Sequence, residues 1–166
     1  MQPKYKKILY GAALTEGSSK VFDHALGLAQ QYGARVIVVH ALEPLTRFGQ
    51  SLVETYVSPE TNKSIHEKNI AQVRSTVEAS LAQFCEDGVC RDPEGANRIL
   101  ATVVEEGRPD QVILEQARKH GADLIVIGSH RHSMARDTFL GGTALRVMHQ
   151  SEIPVLLVSL VGNQVK

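Results

Sequence analysis

Short apolar runs, separated by longer stretches with helical spacing, are the feature of this 166-residue sequence that most narrows its fold. Within a run the apolar residues follow one another almost without alternation, which is typical of strands covered on both faces. The runs occupy residues 8–13, 36–41, 99–104, 124–127 and 155–158. Strands of this kind belong to parallel sheets with helices on both sides, so the pattern predicts an open parallel α/β sheet.

The stretches between the first runs predict two helices. One carries apolar residues from Val21 to Tyr32, with Ser18 or Ser19 as its candidate N-cap and Gly33 as its end. The other, of about 20 residues, carries an apolar stripe at helical spacing. That stripe consists of Ile70, Val73, Val77, Leu81 and Phe84.

Two further helices complete an alternating order. The third begins at Pro109, which suits the first helical position, and ends at Gly121. The last covers residues 142–150. The order β-α-β-α-β-α-β-α-β predicts a sheet whose ligands bind beyond the carboxyl ends of the strands, where the strand order reverses.

The connection at 42–63 is long for a compact domain. It contains Pro44, Phe48, Tyr56 and Pro59. Connections of this length are functional flaps, contain a short helix, or are mobile, and the sequence leaves these three interpretations open.

Composition excludes several classes of function. Lys plus Arg and Asp plus Glu number 18 each, so no general attraction to nucleic acid or to an anionic membrane is expected. No apolar run reaches the ~18 residues of a membrane span, and residues 1–7 carry no signal-peptide pattern. We therefore expect a soluble, cytoplasmic protein of one domain, residues 1–166, with its core at 5–159.

The only two cysteines, Cys85 and Cys90, have a spacing of C-x4-C. In a cytoplasmic protein we expect reduced, inert thiols in preference to a disulfide, with a redox pair as the alternative. No zinc spacing is present, and no carboxylate or cysteine joins His130 and His132 at a ligand spacing. The sequence therefore predicts no metal site.

The segment after the fourth run is the clearest candidate for binding. A glycine, Gly128, follows the strand, and a polar loop then leads to Gly141 and Gly142 at the start of the last helix. The first N–H groups of a helix lack internal partners and carry partial positive charge, so the segment predicts a phosphate site. The alternative is that these glycines serve tight turns and close helix–strand packing.

Several segments together resemble the universal stress protein family over nearly all of residues 5–159. They are residues 5–9, 105–109, 122–130, 139–141 and 153–158. The resemblance implies the strand order 3-2-1-4-5 of the adenine nucleotide alpha hydrolase-like fold, with strands one and four at the reversal point. It also implies a homodimer formed through the last strand, which begins at Pro154 and runs to Val158.

Nucleotide-binding members of that family carry the motif G-x2-G-x9-G-[ST], which holds the phosphates of ATP. Gly128 and Gly141 match its first and third glycines. Arg131 replaces the middle glycine, and Gly142 stands at the Ser/Thr position with Thr143 one place later. If the middle position requires a positive φ, arginine costs about 1–2 kcal/mol, but its guanidinium is suited to bidentate phosphate contact.

The resemblance also implies where the rest of the nucleotide lies. Family members that bind ATP often carry an aspartate near the adenine at the end of strand one, where this chain has Ala13. Val39 and His40 lie where the ligand would pass, although Val39 also suits the core and His40 suits a satisfied position at a strand end. The predicted nucleotide contacts are Ala12, Ala13, Leu14, Val39, His40, Ile127, Gly128, His130, Arg131, Gly141, Gly142 and Thr143.

The predicted function is binding of an adenine nucleotide, ATP above all and with Mg where the nucleotide brings it, by a stress-response sensor or signalling module. The 42–63 connection would order over the ligand. The alternative is a dimeric adaptor whose phosphate loop no longer binds nucleotide. No lysine phosphate loop, dinucleotide fingerprint or nucleophile elbow is present, so at most a slow ATPase is expected.

Overall fold

The computed structural model describes residues 4–88, 90, 94–129 and 141–160. The strands are β1 (Lys7–Gly11), β2 (Arg35–Leu42), β3 (Ile99–Glu106), β4 (Leu124–Ser129) and β5 (Val155–Ser159). The helices are α1 (Ser18–Tyr32), α2 (Arg47–Tyr56), α3 (Pro59–Glu86), α4 (Pro109–His120) and α5 (Gly142–Gln150), and a 3-10 turn covers Ala96–Arg98.

The five strands form one parallel sheet in the order β3-β2-β1-β4-β5. This confirms both the parallel α/β sheet that the apolar runs predict and the strand order that the resemblance implies. At the centre, Tyr10 of β1 pairs with Val38 of β2 on one side and Val126 of β4 on the other. The two outer strands, β3 and β5, are the edges.

Two apolar layers explain why the strands lack alternation. Ile8 and Tyr10 face a cluster formed with α1 and α3, whereas Leu9 between them faces a cluster formed with α4 and α5. All three side chains are buried. Since both sheet faces are covered, successive residues of one strand enter different cores.

Helix α1 ends as predicted but begins differently. Gly33 closes it in the left-handed region with φ 64°, which glycine adopts without steric cost. Neither Ser18 nor Ser19 is the N-cap, because that position is occupied by Gly17, which has no side chain to cap the helix. The Ser18 hydroxyl instead accepts a hydrogen bond from the Thr15 N–H at 3.0 Å, so it stabilises the preceding turn.

The 42–63 connection is helical, which confirms the short-helix interpretation among the three. Helix α2 has 10 residues and is capped by Thr46, whose side chain accepts a hydrogen bond from the Gly49 N–H at 3.2 Å. Helix α3 then starts at Pro59 with Ser58 as its N-cap. Its 28 residues exceed the expected length because this capping signal lies upstream of the apolar stripe.

Cys85 and Cys90 form a disulfide, so the expectation of reduced thiols was wrong. That expectation depended on the presumed compartment and not on geometry. The end of α3 at Glu86 and the following turn bring the two Cα atoms to 4.4 Å, within the range that a disulfide spans. The bond ties the end of α3 to the segment that leads into β3.

Candidate functional site

The carboxyl ends of β1 and β4 lie side by side where the strand order reverses. From β1 the chain crosses to β2 on one side, and β4 lies on the other side of β1. Ligands of open α/β sheets bind at such a position. The structure brings together there the predicted residues that follow β1 and those that end β4.

The loop after β1 is fastened to the end of β2 by both backbone groups of Ala12. Its N–H donates to the Val39 carbonyl at 2.8 Å, and its carbonyl accepts from Nδ1 of His40 at 2.7 Å. Because a carbonyl only accepts, Nδ1 of His40 carries a proton. His40 therefore has a partner at the strand end, as its structural interpretation expected.

The next residues form a turn held under backbone strain. Leu14 has φ 55°, a left-handed conformation that costs a residue with a Cβ about 1–2 kcal/mol. Thr15 and Ser18 close the turn, since the Ser18 N–H donates to the Thr15 carbonyl at 3.1 Å. The buried Tyr10 hydroxyl donates to the Ser18 carbonyl at 3.2 Å, and burial raises the pKa of that hydroxyl. Strain of this kind is characteristic of functional loops.

Val39 and Ile127 do not present their side chains to this edge. Both are buried in the layer covered by α4 and α5. A ligand at the site would therefore meet their backbone, and the Val39 carbonyl already accepts from Ala12.

Gly128 is required by packing. A Cβ built on it would lie 2.9 Å from Cγ2 of Val21 on α1 and 3.1 Å from Cδ1 of Leu160. Nothing larger than glycine fits there without a shift of neighbouring side chains. The packing alternative thus accounts for this glycine without a ligand.

The glycines at the start of α5 differ from Gly128 in how closely other side chains pack against them. Gly141 is the N-cap of α5 with extended backbone and, as a glycine, has no side chain to cap the helix. Among the described residues, the guanidinium of Arg146 would be the nearest neighbour of a Cβ on the exposed Gly142, with its Nη1 at 3.5 Å. Thr143 follows and is half-buried.

Arg146 is the residue that sequence reasoning missed. Helical side chains point back toward the N-terminus, so an arginine four residues after Gly142 covers the first turn of α5. The guanidinium and the positive end of the helix dipole thus both lie at the first turn of α5, and together they favour binding of an anion there. The signal available in the sequence was the four-residue spacing from Gly142 to Arg146 at the predicted start of the last helix.

Two predicted contacts, His130 and Arg131, lie outside the described residues, as does His132. Ala13 and Leu14 are half-buried at the edge of the site. Of the twelve predicted contacts, the others thus fall at the carboxyl ends of β1, β2 and β4 or at the start of α5.

Polar groups near the end of β3 are engaged with one another. Glu105 accepts a hydrogen bond from Nε2 of Gln116, and Arg108 pairs with the buried Asp110 at 2.9 Å. Within the ranges that the structure describes, no three His, Cys, Asp or Glu side chains form a group that could hold a metal ion. In the same ranges, no helix is long and apolar enough to cross a bilayer.

Comparison with known proteins agrees with the fold. Residues 4–159 match the model of the universal stress protein family. Universal stress protein A homolog 2 of Coxiella burnetii is 28% identical over 172 residues, covering 96% of this chain and 98% of its own. Among solved structures, UspA from Lactobacillus plantarum aligns with a TM-score of 0.68 at 19% identity, covering 95% of this chain and 99% of that one.

A universal stress protein solved in complex with cAMP also aligns, with a TM-score of 0.57 at 18% identity, covering 94% of this chain and 98% of that one. At such identities the structural likeness shows the shared fold. Because the family model matches nearly the whole sequence, this chain belongs to the universal stress protein family.

Proposed function

We propose that this protein binds an adenine nucleotide, with ATP as the expected ligand, between the carboxyl ends of β1 and β4. One observation carries the proposal: α5 begins at a glycine N-cap, which has no side chain to cap the first N–H groups, and the Arg146 guanidinium lies beside that first turn. The fold supports it, since α5 follows β4, which lies beside β1 where the strand order reverses. A related protein of the same fold has been solved with cAMP.

The phosphates would contact the N–H groups of Gly142 and Thr143 and the guanidinium of Arg146. Gly141 precedes them in an extended conformation that leaves these N–H groups directed away from the helix body. Arg131 would supply a second guanidinium from the loop, and His130 a further donor. Any Mg would arrive with the phosphates that it coordinates.

The adenine would lie toward β2, over the loop that contains Ala12, Ala13 and Leu14. Ala13 provides no carboxylate, so recognition there would use backbone groups and shape. The hydrogen bond from His40 to Ala12 holds this loop in place before any ligand arrives. Helix α2, within the 42–63 connection, would order further when the nucleotide binds.

The output of binding would be a change of association or of loop order in a single-domain cytoplasmic dimer, because a ligand favours the state that it binds better. Strand β5 supports the dimer interface implied by the family, since it is an edge strand with half-buried Val155, Leu156 and Leu157. This makes the protein a stress-response sensor or signalling module and not a consumer of nucleotide.

A dimeric adaptor without nucleotide is the second candidate. The packing of Gly128 and the burial of Val39 favour it, since both positions are explained without a ligand. Under this alternative, the start of α5 would bind no nucleotide with useful affinity.

Thermal unfolding with ATP, ADP, AMP and cAMP, with and without Mg, tests the proposal. A ligand at 100 times its dissociation constant adds about 2.7 kcal/mol to the free energy of unfolding. For a chain of this length that raises the melting temperature by roughly 5–10 °C. No shift with any of these nucleotides up to millimolar concentration would favour the adaptor instead.

Arg146→Ala provides the matched test of the site. Loss of a charge-assisted contact to phosphate weakens binding about tenfold or more. Arg74→Ala, on the exposed face of α3, removes the same charge elsewhere and should leave the affinity unchanged. Equal affinities for the two variants would contradict the assignment of phosphate to α5, and ADP release lost in Arg146→Ala would indicate an ATPase.

A further inference from the structure

Helix α2, together with Leu45 just before its N-cap, exposes an apolar face that the described residues of the chain cover only in part, since Gly49 and Val53 are half-buried. The face comprises Leu45, Phe48, Gly49, Leu52, Val53 and Tyr56. Their spacing of i, i+3, i+4, i+7, i+8 and i+11 is typical of an amphipathic helix that buries one face, yet no residue of α2 is buried. We infer that this α2 face binds the same face of a second copy of the chain.

The length of α2 makes an uncovered face costly. Its 10 residues fall below the roughly 12–15 at which an isolated helix becomes stable in water. The Thr46 cap contributes to its start, but most helix stability in proteins comes from burial of an apolar side. A partner surface would provide the apolar burial that the core of the protomer does not give to α2.

The face is complementary to itself. Two copies of α2 related by a twofold axis run antiparallel, and about a centre between Gln50 and Ser51 each member of the set opposes another member. Leu45 then lies against Tyr56, Phe48 against Val53, and Gly49 against Leu52 of the second copy. The glycine leaves room for the opposing leucine and lets the two backbones approach.

The exposed area is sufficient for a pair. Leu45, Phe48, Leu52 and Tyr56 are 59%, 74%, 44% and 82% exposed. With an aromatic side chain at about 200 Å² and leucine somewhat below, the four residues offer roughly 500 Å² on each copy. Complete burial of these residues on both copies would remove about 1,000 Å² from water, which is the lower bound for a specific interface.

Charge argues against a membrane as the occupant. At about 100° per residue, the charged Arg47 and Glu54 lie opposite the apolar face, and they cancel each other. Helices that lie on anionic membranes carry an excess of Lys and Arg on the polar side, and α2 does not. An uncharged face with uncharged flanks suits a protein surface.

The α2 interface is separate from the dimer proposed through β5. Helix α3, which follows α2, packs on β3 at one edge of the sheet, and β5 is the other edge. Both interfaces can be occupied at once, so loss of one leaves the other measurable.

Hydrogen exchange at two protein concentrations, about 100-fold apart, tests the inference on the full chain, with sedimentation velocity alongside. The amides of residues 47–56 should gain protection as concentration rises, and those of 155–159 report on β5 independently. Leu52→Lys should weaken association through α2 at least tenfold. Ser51→Lys adds the same charge one position away, off the face, and should change nothing.

Gly49→Ala distinguishes an interface from a folding defect. A Cβ at Gly49 has room within the protomer, with Cβ of Leu45 and Oγ1 of Thr46 both at 3.5 Å, so the melting temperature of the protomer should not fall. The same methyl would meet Leu52 of the second copy and weaken association. Exchange of α2 that is independent of concentration, or equal association of Leu52→Lys and Ser51→Lys, would overturn the inference. The same hydrogen-exchange measurement with added phosphatidylcholine vesicles tests a lipid surface as the occupant. Protection of α2 that appears only with these vesicles would also overturn the inference.

Discussion

Replacement of Gly128 by alanine separates the two roles that the sequence allows this residue. The φ of Gly128 is outside the left-handed region, so alanine introduces no backbone strain and acts only through its Cβ. That Cβ would lie 2.9 Å from Cγ2 of Val21, well inside the 3.5–4.0 Å of ordinary carbon contacts. We expect Gly128→Ala to lower the stability of the protein.

The neighbours of Gly128 set the magnitude. Leu160 follows the last strand and is half-buried, so its side chain has room to move away from the new methyl. Val21 is buried in α1, where a β-branched side chain has essentially one rotamer, so it resists displacement. Overpacking of this kind costs about 1–3 kcal/mol, which lowers the melting temperature by roughly 2–4 °C for each kcal/mol.

Thermal or urea unfolding of a double-mutant cycle measures the effect. Val21→Ala removes the methyl that the new Cβ meets, so in the Gly128→Ala background it should cost less than alone, with a coupling of about 0.5–3 kcal/mol. Gly27→Ala is the control, because a Cβ there has no atom within 4 Å and alanine in a helix interior stabilises by about 0.5–1 kcal/mol. Wild-type stability of Gly128→Ala combined with lost nucleotide binding would refute the packing argument.

Two further predictions concern stability alone. Replacement of Cys85 and Cys90 by serine removes a short covalent loop, so the free energy of unfolding, measured with urea, should fall by about 2 kcal/mol. A reductant should lower the stability of the wild type by the same amount and leave that of the variant unchanged. Burial raises the pKa of Tyr10 above its value in the unfolded chain, so the unfolded state loses this proton first. Stability is therefore fully present below pH ~10 and falls above it, by up to about 1.4 kcal/mol per pH unit, and Tyr10→Phe should remove this part of the alkaline decline.

The layers of the fold could be predicted from the sequence because each signal was local. A run such as 36–39 is apolar throughout since its residues enter two cores in turn, and Gly33 and Gly121 end helices through their own backbone freedom. The order of the strands was different, since it depends on contacts between distant segments. It came from the resemblance to a family and not from the apolar pattern.

Three features could not be predicted from the sequence, because they depend on contacts between distant segments or on weak local signals. The apolar stripe of α2 faces solvent, so burial did not decide between a helix and a loop at 42–63. The disulfide depends on the turn after Glu86, which composition does not reveal. Nothing near Gly128 in sequence indicates that Val21 and Leu160, more than 30 residues away on either side, fill the space beside it.

The glycines of the phosphate motif therefore carry different information. A match at Gly128 says that α1 lies close to β4, and any protein with this packing would need it whether or not it binds a nucleotide. Gly142 lies exposed at a helix start, and a Cβ there would make ordinary van der Waals contact with the Arg146 guanidinium, so packing does not require a glycine at this position. Retention of the first glycine is thus weak support for a ligand. The case for nucleotide binding depends on Gly142 and Arg146, where the family motif is not matched and the local chemistry favours an anion.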